Sequence, residues 1–171
     1  MRLANRLLVI ITVCLSLLAI SCQCAPVGEV SVALAPSPEE VKPGEQFEVE
    51  VQVEPGKQGV SAVEINLSFE PQAIQVVDVK PGALLGERPL SGILNIDNEA
   101  GTVSYSLARI GKTETPTPAT SFVTITFQVL NSAQPGDYEL SLTSVGLANE
   151  NFEGIQDIRV KGASVKIETC V

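Results

Sequence analysis

Histidine and tryptophan are absent from the 171-residue chain, and aromatic residues make up only 4% of it. Without imidazole there is no Ser-His-Asp or Cys-His relay and no histidine-ligated zinc or haem. Cations are also scarce: 11 Lys and Arg face 20 Asp and Glu, a formal net charge of −9. Both shortages argue against nucleic-acid binding, since phosphate contacts need clustered cations and base stacking needs aromatics. Carboxylate pairs are the only catalytic equipment left. A glycosidase needs two of them, about 5 Å or about 6.5–9.5 Å apart across a substrate cleft. The best candidates, Asp97 and Glu99, fall on a turn or strand end with no Trp to form a sugar platform. The composition points away from an enzyme and calls for no cofactor.

Long apolar runs are missing everywhere except at the amino terminus. Arg2 and Arg6 precede a run from Leu7 to Ile20 that is broken only by Thr12 and Ser16. As a helix its fourteen residues would cover ~21 Å, short of the roughly 30 Å hydrocarbon core, so residues 1–21 read as a secretory signal and not as a span. Leu18-Ala19-Ile20-Ser21-Cys22 resembles the bacterial lipobox, in which a small residue precedes a Cys that is acylated and heads the mature chain, although Ala19 replaces the commoner Leu. Ordinary cleavage near Ser21 or Ala25 fits the same residues. Lipid on Cys22 would anchor the chain stably to the outside of a membrane, because two acyl chains hold where one does not. Residues 22–28 form a tether that reaches less than ~25 Å. Cys24 and Cys170 are then an even pair in an oxidising compartment, able either to bridge the ends of the domain or to stay free.

With the signal removed, nine cations face twenty anions, a net −11. No extended helical period appears in the remainder. The pattern is alternation of period two, which puts one set of side chains on a core and the other in solvent. Phe47, Val49, Val51 and Val53 alternate with Glu48, Glu50 and Gln52, and Val63, Ile65, Leu67 and Phe69 with Glu64, Asn66 and Ser68. The same holds for Val103–Leu107, Val123–Val129 and Tyr138–Leu142, with weaker candidates at Val30–Leu34, Ile74–Val79, Ile93–Ile96, Ile158–Val160 and Ala163–Ile167. Nine or ten short strands imply an all-β sandwich spanning 29–169. Pro-Gly at Pro43, Pro55, Pro81 and Pro135 predicts type II turns with a left-handed Gly. Thr113–Thr120 has linker composition but sits between strong strands, which makes it a loop. Asn149, Glu150, Asn151, Glu153 and Asp157 gather oxygen ligands in a spacing that matches no calcium loop, and a hydrated connection is the plainer reading.

In order along the chain, Val41-Lys-Pro-Gly-Glu-Gln-Phe-Glu-Val-Glu-Val, Gly59-Val-Ser-Ala-Val-Glu-Ile-Asn-Leu-Ser-Phe-Glu-Pro, Ile74-Gln-Val-Val-Asp-Val-Lys-Pro-Gly, Gly101-Thr-Val-Ser-Tyr-Ser-Leu-Ala, Phe122-Val-Thr-Ile-Thr-Phe-Gln-Val, Pro135-Gly-Asp-Tyr-Glu-Leu-Ser-Leu and Gly162-Ala-Ser-Val-Lys-Ile resemble the cohesin domain family, from about Val30 to Glu168. The resemblance implies a nine-stranded jelly-roll sandwich related to carbohydrate-binding modules. It further implies a non-catalytic receptor for a dockerin-bearing partner, often a secreted polysaccharide-degrading enzyme.

In the family, one flat sheet face receives the dockerin. The matching positions are Glu64, Asn66 and Ser68; Asn95 and Asp97; Ser104, Ser106 and Arg109; and Glu139, Ser141 and Thr143. Glu64 falls where members commonly carry an acidic contact, and Arg109 stands where an acidic residue is common. The same residues are also what any half-buried antiparallel sheet shows to solvent. An alternative on the same fold is a lipoprotein that binds polysaccharide or a solute directly, although Tyr105 and Tyr138, the candidates for sugar stacking, lie on expected core faces. Asn66-Leu67-Ser68 fits a glycosylation acceptor, which the bacterial signal and strand location make incidental.

Overall fold

A computed structural model of the chain describes residues 29–111 and 118–169. The signal, the tether, Cys22, Cys24, Cys170 and most of the Thr113–Thr120 connection lie outside the described residues. The elements are β1 (Ser31–Ser37), β2 (Glu40–Val41), β3 (Gln46–Glu54), β4 (Ala62–Ser68), β5 (Ile74–Pro81), β6 (Leu90–Asp97), β7 (Thr102–Ala108), β8 (Thr120–Val129), β9 (Gly136–Ala148), β10 (Arg159–Lys161) and β11 (Ala163–Ile167). They form a five-stranded sheet in the order β10-β1-β3-β8-β5 and a six-stranded sheet in the order β2-β11-β9-β4-β7-β6. Most pairs are antiparallel; the short pieces β10 and β2 join β1 and β11 in parallel.

The two sheets close on each other because alternation gives each strand one apolar face. Val49, Val51 and Val53 of β3, Ile65 and Leu67 of β4, and Ile125 and Phe127 of β8 are all fully buried. Phe127 is the junction of the core: its ring stacks on Phe47 at 5.3 Å and meets Phe69 edge-on at 5.4 Å. These residues come from β3, from β8 and from just after β4, so the cluster ties one sheet to the other.

Eleven strands stand against the nine that the resemblance implies; the two shortest are β2, which the pattern does not show, and β10, at the candidate strand Ile158–Val160. Of the four Pro-Gly turns, Gly44 and Gly56 have the left-handed φ a type II turn needs, at 86° and 62°. The other two differ. Gly136 is close to extended, with φ 159°, and opens β9. Gly82 is selected by space, since a Cβ there would sit 2.2 Å from the carbonyl oxygen of Ser121.

Near the open side of the sandwich, β5 bulges between Val76 and Asp78. The Asn98 amide, from the β6–β7 turn, serves Val76 as a substitute strand: Val76 N–H donates to Asn98 Oδ1 at 2.8 Å, and Asn98 Nδ2 donates to the Val76 carbonyl at 3.0 Å. This side chain links the two sheets where no strand does.

Truncating the central ring should be costly. Phe127→Ala is expected to lower stability by about 3–5 kcal/mol, read as a shift of the urea midpoint in a single cooperative transition.

Candidate functional site

The outer face of the six-stranded sheet is built by register. On β4, Val63, Ile65 and Leu67 are buried, so Ala62, Glu64, Asn66 and Ser68 point outward. Pairing with β7 places Ser106 beside Glu64, Ser104 beside Asn66 and Thr102 beside Ser68. On the other flank β9 places Gly146, Ser144 and Ser141 opposite the same three residues. β6 then adds Asn95 beside Ser104 and Asp97 beside Thr102. Ten of the sequence-selected residues, Glu64, Asn66, Ser68, Asn95, Asp97, Ser104, Ser106, Glu139, Ser141 and Thr143, are thereby brought onto four adjacent strands, β9-β4-β7-β6.

Their hydrogen bonds divide them into fixed and free groups. Ser104 Oγ donates to Asn66 Oδ1 at 2.6 Å, and Thr143 Oγ1 donates to the Asn66 carbonyl at 3.1 Å across a bulge in β9. Ser106 Oγ accepts the Ile93 N–H at 2.7 Å and so holds a second bulge, in β6. Asp97 Oδ1 accepts from the N–H groups of Glu99 and Ala100, which spends its carboxylate on the β6–β7 turn. Glu64 has no side-chain hydrogen bond or ion pair among the described residues. It stands exposed between Gly146 and Ser106, a carboxylate rising from a floor of small groups.

Comparison with known proteins decides what such a face belongs to. The family model for the cohesin domain matches residues 32–165, most of the chain. The chain belongs to the cohesin family. No curated protein matches it significantly. Among solved structures, the non-cellulosomal cohesin of the hyperthermophilic archaeon Archaeoglobus fulgidus superimposes with TM-score 0.65 at 15% identity, covering 83% of this chain and 93% of that one. A chain of the type I cohesin–dockerin complex Coh-OlpA–Doc918 of Clostridium thermocellum gives TM-score 0.69 at 15% identity, covering 82% and 100%. A type II cohesin from the cellulosome of Acetivibrio cellulolyticus gives 0.64 at 17%, covering 80% and 95%. At these identities the likeness is one of fold.

One selected residue is not on this face of the cohesin domain. Arg109 continues the inward series Val103, Tyr105, Leu107, and its N–H bonds the carbonyl of Ser61, a residue buried beside Val63. Its side chain is 7% exposed, with Nη2 3.8 Å from Glu150 Oε1. Nε and Nη1 are buried and have no hydrogen-bond partner among the described residues. The expectation that Arg109 meets a partner is therefore corrected by parity: Ser104, Ser106 and Ala108 point out, and Arg109 points in.

What the sequence reading missed is apolar. Past Glu64, the outer row consists of Ala148, Ala62, Ala108 and Leu90 in register across the four strands. With Gly146, Gly92, Ser106 and Glu64 itself they line a cup of about 330 Å³. The signal was present, since Ala62 and Ala108 extend the outward series of Glu64 and Ser106, but alanine reads as neutral in an alternation pattern.

Other sites find less support. Asn149 Oδ1 accepts from the N–H groups of Asn151 and Glu153, and Asn149 Nδ2 donates to Glu153 Oε2 at 3.1 Å, so the oxygens proposed for calcium close their own turn. Among the described residues no group of three or more carboxylate or thiol side chains is placed to hold a metal. Tyr105 is buried against Phe122 and its phenol is pushed up in pKa by that burial. Tyr138 is half-buried, and its hydroxyl donates to the Gln134 carbonyl at 2.7 Å.

The half-paired guanidinium makes a testable asymmetry. Arg109→Met should leave stability unchanged or raise it, because the burial of an incompletely bonded charge is relieved. Glu150→Ala should lower it by about 1 kcal/mol, a value reduced by the exposure of the carboxylate. Parallel guanidinium-chloride titrations of the two variants give the comparison.

Proposed function

We propose that this cohesin domain is a non-catalytic receptor that captures a dockerin-bearing protein on the β9-β4-β7-β6 face. We further propose that lipid on Cys22 holds it at the outer side of a bacterial membrane, and that its partner is a secreted enzyme acting on polysaccharide. The observation that carries the reading is Glu64: an open carboxylate on a rigid strand, surrounded by Ser, Asn and Gly, in a chain of the cohesin family. Solved neighbours include cohesins in complex with dockerins from Clostridium thermocellum and Acetivibrio cellulolyticus, which supports the partner class.

The physical case is one of low entropic cost. Short hydroxyl and amide groups on strands lose little rotamer freedom when they bond a partner. An acidic face draws cationic or hydroxyl-bearing helices and repels anionic ones, which sets selectivity and association rate more than raw affinity. Direct glycan binding is the weaker alternative, because Tyr105 is buried in the core and Tyr138, at the edge of the face, is half-buried with its hydroxyl bonded to the Gln134 carbonyl.

Binding of recombinant dockerin modules encoded in the same genome, measured by calorimetry against the detergent-solubilised full chain, tests this directly. Glu64→Lys should weaken binding at least about tenfold, or ~1.4 kcal/mol. Unchanged affinity would refute the assignment of the face. For the anchor, Cys22→Ser is expected to move the protein from the membrane pellet to the soluble fraction; a variant that still pellets would count against lipidation.

A further inference from the structure

The two ends of the sandwich are unlike, and the chain enters at one of them. Glu29 and Val30 are held there by β10: the Arg159 N–H donates to the Val30 carbonyl at 3.0 Å, and the Arg159 guanidinium pairs with Glu29. Register carries this level across both sheets. Ser31 faces Glu54, the last residue of β3. The connection 55–61 leads from there to Ala62, which lies between Ala108 and Ala148, the last residues of β7 and β9. Residues 109–111 and 149–158 therefore belong to the same end, as does the connection 82–89 that leads to Leu90 beside Ala108. Among the described residues, three large apolar side chains are at least 60% exposed, and all three are here: Leu90 at 60%, Ile110 at 64% and Phe152 at 68%. Leu90 belongs to the partner face. Ile110 and Phe152 stand beyond it on connections that the Arg109–Glu150 pair ties together. Phe152 has a left-handed φ of 61°, which Asn or Gly adopts at less cost than an aromatic residue.

Charge divides the molecule in the same way. The described connections of this end, with residues 29–30 and the flanking Glu54 and Arg159, hold Lys57, Arg88, Arg109 and Arg159 against Glu29, Glu54, Glu87, Glu150, Glu153 and Asp157, a net −2. Two of those carboxylates are in ion pairs, Glu29 with Arg159 and Glu150 with Arg109. The other described residues hold four cations, Lys42, Lys80, Lys161 and Lys166, against thirteen carboxylates, a net −9. The most exposed apolar groups thus sit where the acidic charge is thinnest.

Taking lipid on Cys22 as proposed above, we infer that this end of the domain is seated on the lipid surface, with Phe152 and Ile110 dipped into the interface. The tether sets the occupant. Residues 22–28 reach less than ~25 Å, so an acylated Cys22 keeps residue 29 and the loops around it beside the bilayer. At that high effective concentration two side chains suffice for a contact they could not sustain alone. Apolar groups of this kind enter the headgroup boundary by about 5–10 Å. Charge supplies the polarity: an anionic lipid surface repels the acidic body of the domain more than its nearly neutral end. Seated in this way, the strands stand steeply on the membrane, and the β9-β4-β7-β6 face opens sideways to its partner.

The chain has no Trp, so one introduced by substitution reports its own surroundings. Phe152→Trp and Ile110→Trp are made singly, and either serves where the other fails to fold. Gln72→Trp, exposed in the connection between the end of β4 and the start of β5, is the reference at the opposite end. In the acylated full chain, reconstituted in vesicles of phosphatidylethanolamine and phosphatidylglycerol, the two probes should shift to the blue and be quenched by brominated acyl chains at least about twofold more strongly than the reference. Quenching of a folded probe no stronger than that of Gln72→Trp would overturn the inference and leave the anchor standing. A blue shift that appears without vesicles and grows with protein concentration would mark a contact between copies and overturn it too. A mature chain whose mass shows no acyl groups would remove the anchor and the seat together.

Discussion

The register of β4 between β7 and β9 is the constraint on which everything else rests. It is the one strand of the outer face whose ladder is complete on both flanks for its whole length, and Val63, Ile65 and Leu67 fix its phase by burial. A slip of one residue would turn Glu64, Asn66 and Ser68 into the core and put three large apolar groups in water. The energy that holds the hydrophobic core together therefore also aims the polar face. The outward residues of β4 are thus held in place by the burial of their inward neighbours.

Much of this was legible in advance because the alternation is strict. All ten strands read from the pattern are present; the selection of β4, β6, β7 and β9 as a face comes from the family resemblance alone, and alternation supplies the outward phase of their residues up to the first irregularity. The failures occur where phase changes. Alternation in β9 breaks at Thr143, an extra residue opposite the Asn66–Leu67 step, and for that reason the strand seemed to end at Leu142 when it runs on to Ala148. Arg109 is grouped with Ser104 and Ser106 by the family resemblance, although counting in twos from Leu107 turns it inward. The two-residue β2, Glu40–Val41, carries no periodic signal. The alanine cup needs four strands in register at once, which no single stretch of sequence displays.

The absences in composition acquire a positive sense from the structure. Lack of histidine and tryptophan left serine, asparagine, glycine and carboxylate to cover the sheet, and these short groups keep the face flat. The few exposed apolar side chains are gathered mainly on one side of the molecule, near β6 and the turn after β9. Arginine, scarce as it is, is buried at position 109, with Glu150 of the connection after β9 as its ion-pair partner.

The bulge in β6 has a consequence for neighbours as well as for the site. β6 is the last strand of its sheet and exposed along its whole length, with Leu90, Ile93, Leu94 and Ile96 among its side chains, the profile of an edge on which further copies could stack. Gly92 and Ile93 crowd against Ser106 alone, and the Ile93 N–H is turned back into its own sheet. An approaching strand thus meets a kinked, out-of-step line of donors and acceptors. A bulged edge of this kind leaves its apolar side chains open to solvent while denying a second strand a regular ladder.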